Sequence, residues 1–333
     1  MTGYKNFDLA IYVTAQNVMA MPDDLDSLDE QFSFFEKNMK VSKLYLETYR
    51  EDTVPSGKLM AVKRYFERKG IQTATGITTS SPSADNSEIR IGDLYCYNDP
   101  KLLDLLKRTF ERMASEFDEI MIDDFFSTNC TCGRCRDAKG NRTWADYRIG
   151  RMTEISREYV IEPSKKVNPN VNIILKYPTW GDSFQRLGYN TETQPGLFDQ
   201  IYSGTETRHT TYSIFRNPRY TSFSVIRWLS SIRDNNHGGW FDPYMCGGSI
   251  NNYLEQAHLT LLSKPKEITL FCYGSLLDTV LVPALGFELD RMDGFLGELG
   301  NPVGISTYLP VHGSGEDHVY DYLGMCGIPI APS

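Results

Sequence analysis

The sequence has no feature that would place it in a membrane or on a nucleic acid. No apolar run among its 333 residues approaches the roughly 18 to 20 residues of a membrane-spanning helix. The first ten residues, MTGYKNFDLA, lack the basic and then apolar pattern of a secretory signal. A net charge of -9 provides no basic face to offset phosphate repulsion. We therefore expect no nucleic-acid partner, no membrane partner and a cytoplasmic location, or an exported protein if a leader has been removed.

The cysteines do not have the pattern of a disulfide framework. Seven is an odd number, and a chain with 41% hydrophobic residues can bury a core without such staples. We therefore expect reduced thiols. Four of the seven are concentrated in residues 96–135, where they are Cys96, Cys130, Cys132 and Cys135.

Short segments rich in β-branched and aromatic residues alternate with longer amphipathic segments. The eight candidate strands are residues 7–15, 41–49, 71–79, 117–125, 171–179, 198–206, 238–246 and 267–275. This alternation predicts an α/β protein of the (β/α)8 TIM barrel class. A doubly wound sheet is disfavoured because YVTAQNVMAM, at the first strand, contains no glycine-rich phosphate turn.

The alternation predicts a barrel over residues 1–298, with VPALGFELDRMDGFLGELG as its last helix. Residues 299–333 do not continue the repeat. We expect them to form a short C-terminal extension, which either docks on the barrel or begins another domain.

Polar and aromatic side chains collect where the predicted strands end. In a barrel of this kind, function is expected at that face because the loops after the strands build it. The residues found there include Tyr12, Glu47, Asp123, Asp124, Lys176, Tyr177, Glu206, Arg208, Trp240 and Asp242. Paired carboxylates suit glycoside cleavage, in which one group protonates the leaving oxygen and the other attacks the anomeric carbon or activates water. Aromatic rims suit the C–H faces of sugar rings.

The carboxylates also have plainer interpretations. Asp123 and Asp124 are adjacent, so along a strand only one of them should enter the barrel mouth. Glu206 could form a salt bridge with Arg208, and Asp242 could set a turn before a proline.

Lys176 and the aromatic residues have alternatives of their own. A buried Lys176 could act as a Schiff-base nucleophile in a barrel lyase. An ion pair with a rim carboxylate, or donation to a substrate hydroxyl, is the preferred interpretation. Each aromatic residue, taken singly, could simply pack in the core or at the rim.

The thiol cluster, Cys96, Cys130, Cys132 and Cys135, predicts a tetrahedral zinc site. Gly133 frees the backbone for the tight turn of C-x-C-x-x-C. Four thiolates close the metal shell, so this zinc would be structural. Redox-active thiols or unrelated free cysteines are the alternatives.

The stretch from CYNDPKLLDLLKRTFERM to DDFFSTNCTCGRC resembles the β-galactosidases of glycoside hydrolase family forty-two. It is also similar to uncharacterised bacterial glycosyl-hydrolase-like barrels. In the β-galactosidases, a cysteine after strand three and a C-x-C-x-x-C after strand four hold a zinc beside the strand-four acid. The chain departs from that pattern, because Asp123-Asp124 replaces Asn-Glu and Asp242 replaces the expected Glu on strand seven.

The arrangement of acids is closer to retaining α-galactosidase-like barrels, which use an Asp after strand four as nucleophile and an acid after strand six as proton donor. This likeness implies that Asp123 or Asp124 is the nucleophile and Glu206 the acid/base of a retaining glycosidase. The residues expected to bind the carbohydrate are Tyr12, Glu47, Lys176, Tyr177, Arg208, Trp240 and Asp242. The tail GISTYLP...YLGMCGIPIAP looks like the entry to a flavodoxin-like domain. A non-catalytic carbohydrate-binding barrel remains the alternative, and association into a homo-oligomer is left open.

Overall fold

The structure is a computed structural model that describes residues 3–79, 95–123, 125–179, 183–213, 216–313 and 318–332. Its eight barrel strands are β1 (Asp8–Val13), β2 (Lys43–Arg50), β3 (Gln72–Thr78), β4 (Glu119–Ile122), β5 (Asn172–Tyr177), β6 (Gln200–Gly204), β7 (Asn236–Phe241) and β8 (Glu267–Phe271). Each strand pairs in parallel with the next, and β8 pairs with β1. The ring is therefore closed, and the predicted (β/α)8 TIM barrel is confirmed.

The helices form a layer around the strands. They are α1 (Ala15–Ala20), α2 (Leu25–Glu36), α3 (Ser56–Arg68), α4 (Pro100–Glu116), α5 (Gly133–Lys139), α6 (Trp144–Ile155), α7 (Glu162–Val167), α8 (Phe184–Leu187), α9 (Thr221–Ile232), α10 (Ile250–Leu262), α11 (Tyr273–Leu276) and α12 (Leu281–Leu296). Helix α4 illustrates how the sequence specifies them. The Asp99 side chain accepts the backbone N–H of Lys101, and Pro100 opens the first turn.

The segment 144–162, which reads as one amphipathic helix in sequence, is interrupted in the structure. A π-helical turn, Ser156–Ile161, separates α6 from α7. Pro163 lies in the first turn of α7 and has no N–H to donate to the preceding turn. The helical hydrogen bonds are therefore rearranged just before the proline.

The barrel interior is layered. At the N-terminal end lies a polar floor, in which the Lys43 ammonium contacts Glu119 at 2.8 Å and Glu267 at 2.7 Å. The Tyr45 hydroxyl donates to Glu267 at 2.7 Å, and the Tyr202 hydroxyl donates to the same carboxylate at 3.1 Å. Above this floor is a buried layer that includes Ala10, Ala74, Met121 and Ile174. The floor and this layer fill the barrel below its C-terminal mouth.

Strand β2 contains a bulge that decides which of its residues enter the barrel. Its register against β3 shifts between Glu47 and Tyr49. Without this shift, Glu47 and Arg50 would point to opposite faces, because side chains alternate along a strand. With it, Tyr49 packs in the outer core while Arg50 joins Glu47 at the mouth.

The C-terminal extension forms a small unit against α9. Strand β9 (Ile305–Thr307) and strand β10 (Ile330–Pro332) pair in parallel and are connected by helix α13 (Val319–Met325). Asp321 of α13 is buried and accepts the Thr221 hydroxyl at 2.8 Å. A division of the chain at residue 298, and a flavodoxin-like continuation, stay predictions. In the part of the chain that the structure describes, no helix is both long and apolar enough to span a bilayer.

Candidate active site

Two acids from different strands meet one lysine at the barrel mouth. The Lys176 Nζ atom lies 2.8 Å from Glu206 Oε1 and 3.4 Å from Asp123 Oδ1. All three side chains are buried. Because the two carboxylate oxygens contact the same nitrogen, they can be no further apart than the sum of these distances, about 6.2 Å. We call this group the Lys176 cluster (Asp123, Lys176 and Glu206).

Strand alternation explains why these side chains converge. Ile174 and Met121 point into the barrel, and Lys176 and Asp123 follow them by two residues on the same faces. Gly204 makes room for Glu206. A Cβ atom at Gly204 would lie 2.5 Å from Glu206 Oε2, which is closer than packing allows.

Thr179 fixes the other side of Glu206. Its hydroxyl donates to Glu206 Oε2 and accepts the backbone N–H of Glu206 at 3.1 Å. Glu206 therefore pairs with Lys176 and Thr179, whereas Arg208 pairs with Asp242. The Glu206–Arg208 salt bridge considered from the sequence is not the arrangement found.

Arg50 joins Asp123 to Glu47. Its Nη2 atom donates to Asp123 Oδ2 at 2.8 Å, and its Nε atom donates to Glu47 Oε2 at 2.8 Å. The Thr78 hydroxyl lies between the two acids, 3.1 Å from Asp123 Oδ2 and 2.6 Å from Glu47 Oε1. Burial alone would lower the pKa of Arg50, but the carboxylates of Glu47 and Asp123 outweigh it and raise that pKa above its ordinary value.

Glu47 is enclosed behind the mouth. It is 0% exposed. It accepts hydrogen bonds from the Tyr12 hydroxyl at 2.8 Å and the Ala15 backbone N–H at 2.7 Å, in addition to Thr78 and Arg50. A carboxylate has about four acceptor sites, and these four donors occupy them. Glu47 thus has no acceptor site left for a sugar hydroxyl, contrary to the substrate contact expected from the sequence.

Four aromatic rings form one wall of the mouth, which we call the aromatic wall (Tyr12, Trp240, Phe271 and Tyr244). Trp240 lies between Tyr12 and Phe271, at ring-centroid distances of 4.6 and 5.0 Å. Tyr244 contacts Phe271 edge-on at 5.9 Å and is the most exposed member of the wall. The Lys176 ammonium lies 4.3 Å from the Trp240 ring centroid, so the wall borders the Lys176 cluster.

Tyr12 and Tyr177 both end their strands but occupy different places. Burial and the neighbouring Glu47 carboxylate raise the pKa of Tyr12 well above its ordinary value, so its hydroxyl stays protonated as a donor. Tyr177 follows Lys176 directly and therefore points out of the barrel. Its ring packs against Phe184 and Tyr189. The structure does not bring Tyr177 to the mouth.

Asp242 and Arg208 form a buried ion pair on the rim beside the cluster. Arg208 Nε and Nη2 donate to the two Asp242 oxygens at 3.0 and 2.6 Å. Asp242 Oδ1 also accepts the Tyr244 backbone N–H at 3.0 Å, as expected for an acid that sets a turn. Burial raises the pKa of the Asp242 carboxyl, and Arg208 opposes that rise.

Asp124, which the sequence offers as the alternative nucleophile, lies outside the described residues. Three residues of the site escaped the sequence analysis: Arg50, Thr179 and Phe271. Arg50 had a recognisable signal, a charged residue at the end of an apolar strand, but regular alternation from Glu47 would place it on the opposite face.

The thiol cluster is assembled from the loops after β3 and β4. Its four sulfur atoms all lie within 4.8 Å of one another. Cys96 Sγ is 3.7 Å from Cys132 Sγ and 3.6 Å from Cys135 Sγ. Zinc bound tetrahedrally at about 2.3 Å would hold its sulfur ligands about 3.8 Å apart, which agrees with these distances. The residues present therefore fit a four-thiolate metal site.

The surroundings of the thiols suit metal ligands. The backbone N–H of Cys135 lowers the pKa of the Cys132 thiol to about 7. The Asn98 side-chain amide donates to Cys135 Sγ at 3.2 Å, an outer contact of the kind that orients a ligand. Burial raises the pKa of Cys96 and of Cys135, which a bound cation would counteract.

Comparisons with known proteins identify the family to which the chain belongs. Residues 1–286 match the family model described as "Probable glycosyl hydrolase, catalytic domain". An uncharacterised protein of Saccharolobus solfataricus, SSO3021, is 30% identical over an alignment 371 positions long, gaps included, that covers 99% of this chain. The chain spans 60% of the length of that curated relative.

Solved structures of two glycosidases have the same fold. The α-L-fucosidase isoenzyme 2 of Paenibacillus thiaminolyticus superimposes with a TM-score of 0.60 and 12% identity, over 100% of this chain and 58% of that one. The exo-β-1,4-mannosidase Op5Man5 of an Opitutaceae bacterium, strain TAV5, superimposes with a TM-score of 0.59 and 11% identity, over 99% and 70%. At these identities the likeness concerns the fold alone.

Proposed function

Since the chain belongs to the family of probable glycosyl hydrolase catalytic domains, we propose that it hydrolyses a glycoside or oligosaccharide with Asp123 and Glu206 as its carboxylate pair. The observation that carries this proposal is their convergence on Lys176. One oxygen of Asp123, directly after β4, and one oxygen of Glu206, just after β6, lie within about 6.2 Å of each other, and two such acids are the groups that glycosidic cleavage requires.

The surroundings of the two acids favour different roles. Asp123 contacts two cations, Arg50 and Lys176, which keep it ionised. An ionised carboxylate can attack the anomeric carbon. Glu206 contacts one cation, which it shares with Asp123. We assign Asp123 as the nucleophile and Glu206 as the acid/base, and Asp124 stays the alternative nucleophile.

The proposed reaction retains the anomeric configuration. Retaining enzymes hold their carboxyl groups about 5 to 5.5 Å apart, and inverting enzymes about 6.5 to 9.5 Å apart. One oxygen of Asp123 and one oxygen of Glu206 are no more than about 6.2 Å apart, which is below the range of inverting enzymes and supports the first class. Asp123 forms a bond to the anomeric carbon as the bond to the leaving oxygen breaks, and Glu206 gives that oxygen its proton. Glu206 then takes a proton from water, which attacks the same carbon and releases Asp123.

Lys176 is the cationic neighbour of the proposed acid/base, Glu206. A sugar hydroxyl that accepts a hydrogen bond from Lys176 would compete with Glu206 for the ammonium group. Of the residues expected to contact the sugar, Lys176, Asp242 and Arg208 would bind hydroxyls. Trp240 is only 2% exposed, so the more exposed rings of the aromatic wall, Phe271 and Tyr244, would receive the sugar face. Tyr12 would support Trp240 from behind.

The test is hydrolysis of a panel of aryl glycosides that includes an α-L-fucoside and a β-mannoside. Turnover should fall about 10²- to 10⁴-fold in Glu206→Gln. A loss at least as large is expected in Asp123→Asn. The controls Asp104→Asn and Glu154→Gln change exposed helical acids and should keep full activity. Activity that survives in Asp123→Asn but disappears in Asp124→Asn would show that Asp124, and not Asp123, is the nucleophile.

Product stereochemistry tests the mechanism separately. Proton NMR of the first-formed sugar should show the anomer of the substrate, whereas the opposite anomer would exclude the covalent route. Sugar binding without turnover across the panel would favour the carbohydrate-binding alternative.

We also propose that the thiol cluster holds a structural zinc, as the resemblance to family forty-two implies. The fit of the sulfur distances to a zinc tetrahedron supports the proposal. With four thiolates the metal has no position for water. Its contribution would be to join the loops after β3 and β4, outside the chemical steps.

A further inference from the structure

We propose that Arg50 is a positioning residue that fixes Asp123 and holds it ionised for attack. The inference rests on the proposed function, in which Asp123 is the nucleophile. Arg50 acts through Asp123, since the two groups with which it forms ion pairs among the described residues are carboxylates of the protein.

The first support is the way Arg50 is itself held. Its Nε atom is 2.8 Å from Glu47, which also accepts hydrogen bonds from Tyr12, Thr78 and the Ala15 backbone. Donors from β1, β3 and the start of α1 therefore anchor Glu47. A planar guanidinium that uses one nitrogen on this anchor presents the other in a defined direction. That direction leads to Asp123 Oδ2, at 2.8 Å.

The second support is the place of Arg50 against the aromatic wall. Its guanidinium carbon lies 5.5 Å from the Phe271 ring centroid, and Phe271 stacks on Trp240. Arg50 is thus packed between the carboxylates and the surface that would receive a sugar. The bulge in β2 is what turns it inward, so the strand departs from regular pairing where this arginine enters the mouth.

The charges around Asp123 come from several elements. Arg50 and Lys176 favour its ionised form, with Arg50 the closer of the two. Glu47 and Glu206 carry charge of the same sign and oppose it, and Thr78 donates a hydrogen bond. Tyr12 stays neutral because its pKa is raised.

Removal of Arg50 should take from Asp123 the nearer of the two cations described beside it. Lys176, which also pairs with Glu206, would remain. The Asp123 pKa should rise, because opposite charges are what keep a buried carboxyl ionised.

The first experiment compares pH profiles of kcat/KM for the wild type, Arg50→Gln and Arg50→Lys. In Arg50→Gln, the acid limb of the profile, where kcat/KM falls as the pH is lowered, should shift to higher pH by about one to three units. This is the usual effect of an arginine on the pKa of a neighbouring aspartate. The value of kcat should fall more than KM rises. The acid limb of Arg50→Lys should lie between those of the wild type and Arg50→Gln. Lysine keeps the positive charge, but its ammonium group cannot bridge two carboxylates as the forked guanidinium does.

The matched control is Arg112→Gln. Arg112 is partly buried and pairs with Glu116 on α4, away from the mouth. Its loss removes a comparable arginine and should leave the acid limb in place. Added guanidinium ion should restore activity in Arg50→Gln and have no such effect on Arg112→Gln.

The second experiment does not depend on activity. Carbon-13 NMR of labelled aspartate carboxyls, with Asp123→Asn used for assignment, follows the titration of Asp123 directly. A higher midpoint in Arg50→Gln or Arg50→Lys supports the proposal even if no glycoside is hydrolysed. An unchanged Asp123 midpoint in a folded Arg50 variant overturns it. If Arg50→Gln does not fold, Arg50→Lys provides the same decision. An acid limb that stays at the wild-type pH in an active Arg50 variant would also overturn the proposal.

Discussion

The guanidinium of Arg208 contacts both carboxylate oxygens of Asp242, at 3.0 and 2.6 Å. Arg208 lies after β6 and Asp242 after β7, so the pair ties two neighbouring loops of the mouth. Both side chains are largely buried, at 12% and 4% exposure. Each charge is therefore poorly hydrated, and the cost of burying it is offset mainly by the opposite charge of its partner.

Loss of one member should destabilise the protein more than loss of both. Arg208→Gln leaves the Asp242 charge buried without its partner, and we expect the free energy of unfolding to fall by about 3 to 5 kcal/mol. The double variant Arg208→Gln/Asp242→Asn removes both charges and should recover much of that loss. Urea unfolding measures the difference. A double variant that is less stable than Arg208→Gln alone would contradict this account.

Replacement of Lys176 by methionine should reduce turnover and shift its pH dependence. The change removes the cation between two carboxylates that lie within about 6.2 Å of each other. Their repulsion then raises the pKa of one of them. We expect kcat to fall about 10²- to 10³-fold, the usual effect of deleting one preorganised electrostatic contact, and the acid limb to move to higher pH. Full turnover in a folded Lys176→Met variant would show that the lysine has no part in the mechanism.

The thiol cluster should determine the metal content. Cys132→Ser removes one of the four ligands, so the purified variant should contain much less zinc than the wild type by mass spectrometry. Its thermal midpoint should also fall. Cys326→Ser is the control, because Cys326 is exposed and lies in the extension. Equal zinc in both variants would exclude the proposed ligand set.

Gly76→Ala should lower stability through Tyr12. A Cβ atom at this position would lie 2.3 Å from the Tyr12 hydroxyl oxygen, and Tyr12 is fully buried. Forcing the ring aside disturbs its hydrogen bond to Glu47 and should cost about 1 to 3 kcal/mol. Gly57→Ala provides the comparison. Nothing lies within 4 Å of the added methyl group there, and the helical position should gain slightly in stability. Denaturant unfolding of the two variants tests the contrast.

The floor of the barrel should make the protein sensitive to acid. Burial alone would raise the pKa of Glu119, but Lys43 and further hydrogen bonds outweigh it and lower the pKa below its ordinary value of 4.5. Ionised Glu119 therefore stabilises the fold fully above that value, and the contribution disappears as the pH falls through the lower, folded-state pKa.

The check is the thermal midpoint of Glu119→Gln as a function of pH. The variant should be less stable than the wild type at neutral pH, and the difference should narrow below pH 4.5. Glu154→Gln, at an exposed acid, should follow the wild-type curve. A constant difference between Glu119→Gln and the wild type at all pH values would argue against this linkage.

The strand pattern was sufficient to predict the barrel, because each strand carries its own local signal. Period-two alternation also indicated that polar residues at the strand ends would gather at one face. Its failure at Arg50 has a specific cause. A bulge between Glu47 and Tyr49 resets the alternation, and single-strand periodicity contains no information about the register of a neighbour.

The sequence also could not predict which charged side chains pair with each other across the barrel mouth. Glu206 and Arg208 are two residues apart and looked like an ion pair, but each found its partner on another strand. Lys176 and Tyr177 are adjacent and looked equivalent, but only Lys176 faces inward. Such choices depend on distances across the closed ring. The four thiols, by contrast, were grouped correctly, because three of them lie within residues 130–135 and Cys96 follows the neighbouring strand.

The polar floor built on Lys43, Glu119 and Glu267 closes the lower end of the barrel among the described residues. If the proposed hydrolysis takes place beside Lys176, the reactant would arrive through the loops at the top and the product would leave the same way. An accumulating product would then obstruct the next reactant, so the rate of product release would limit turnover.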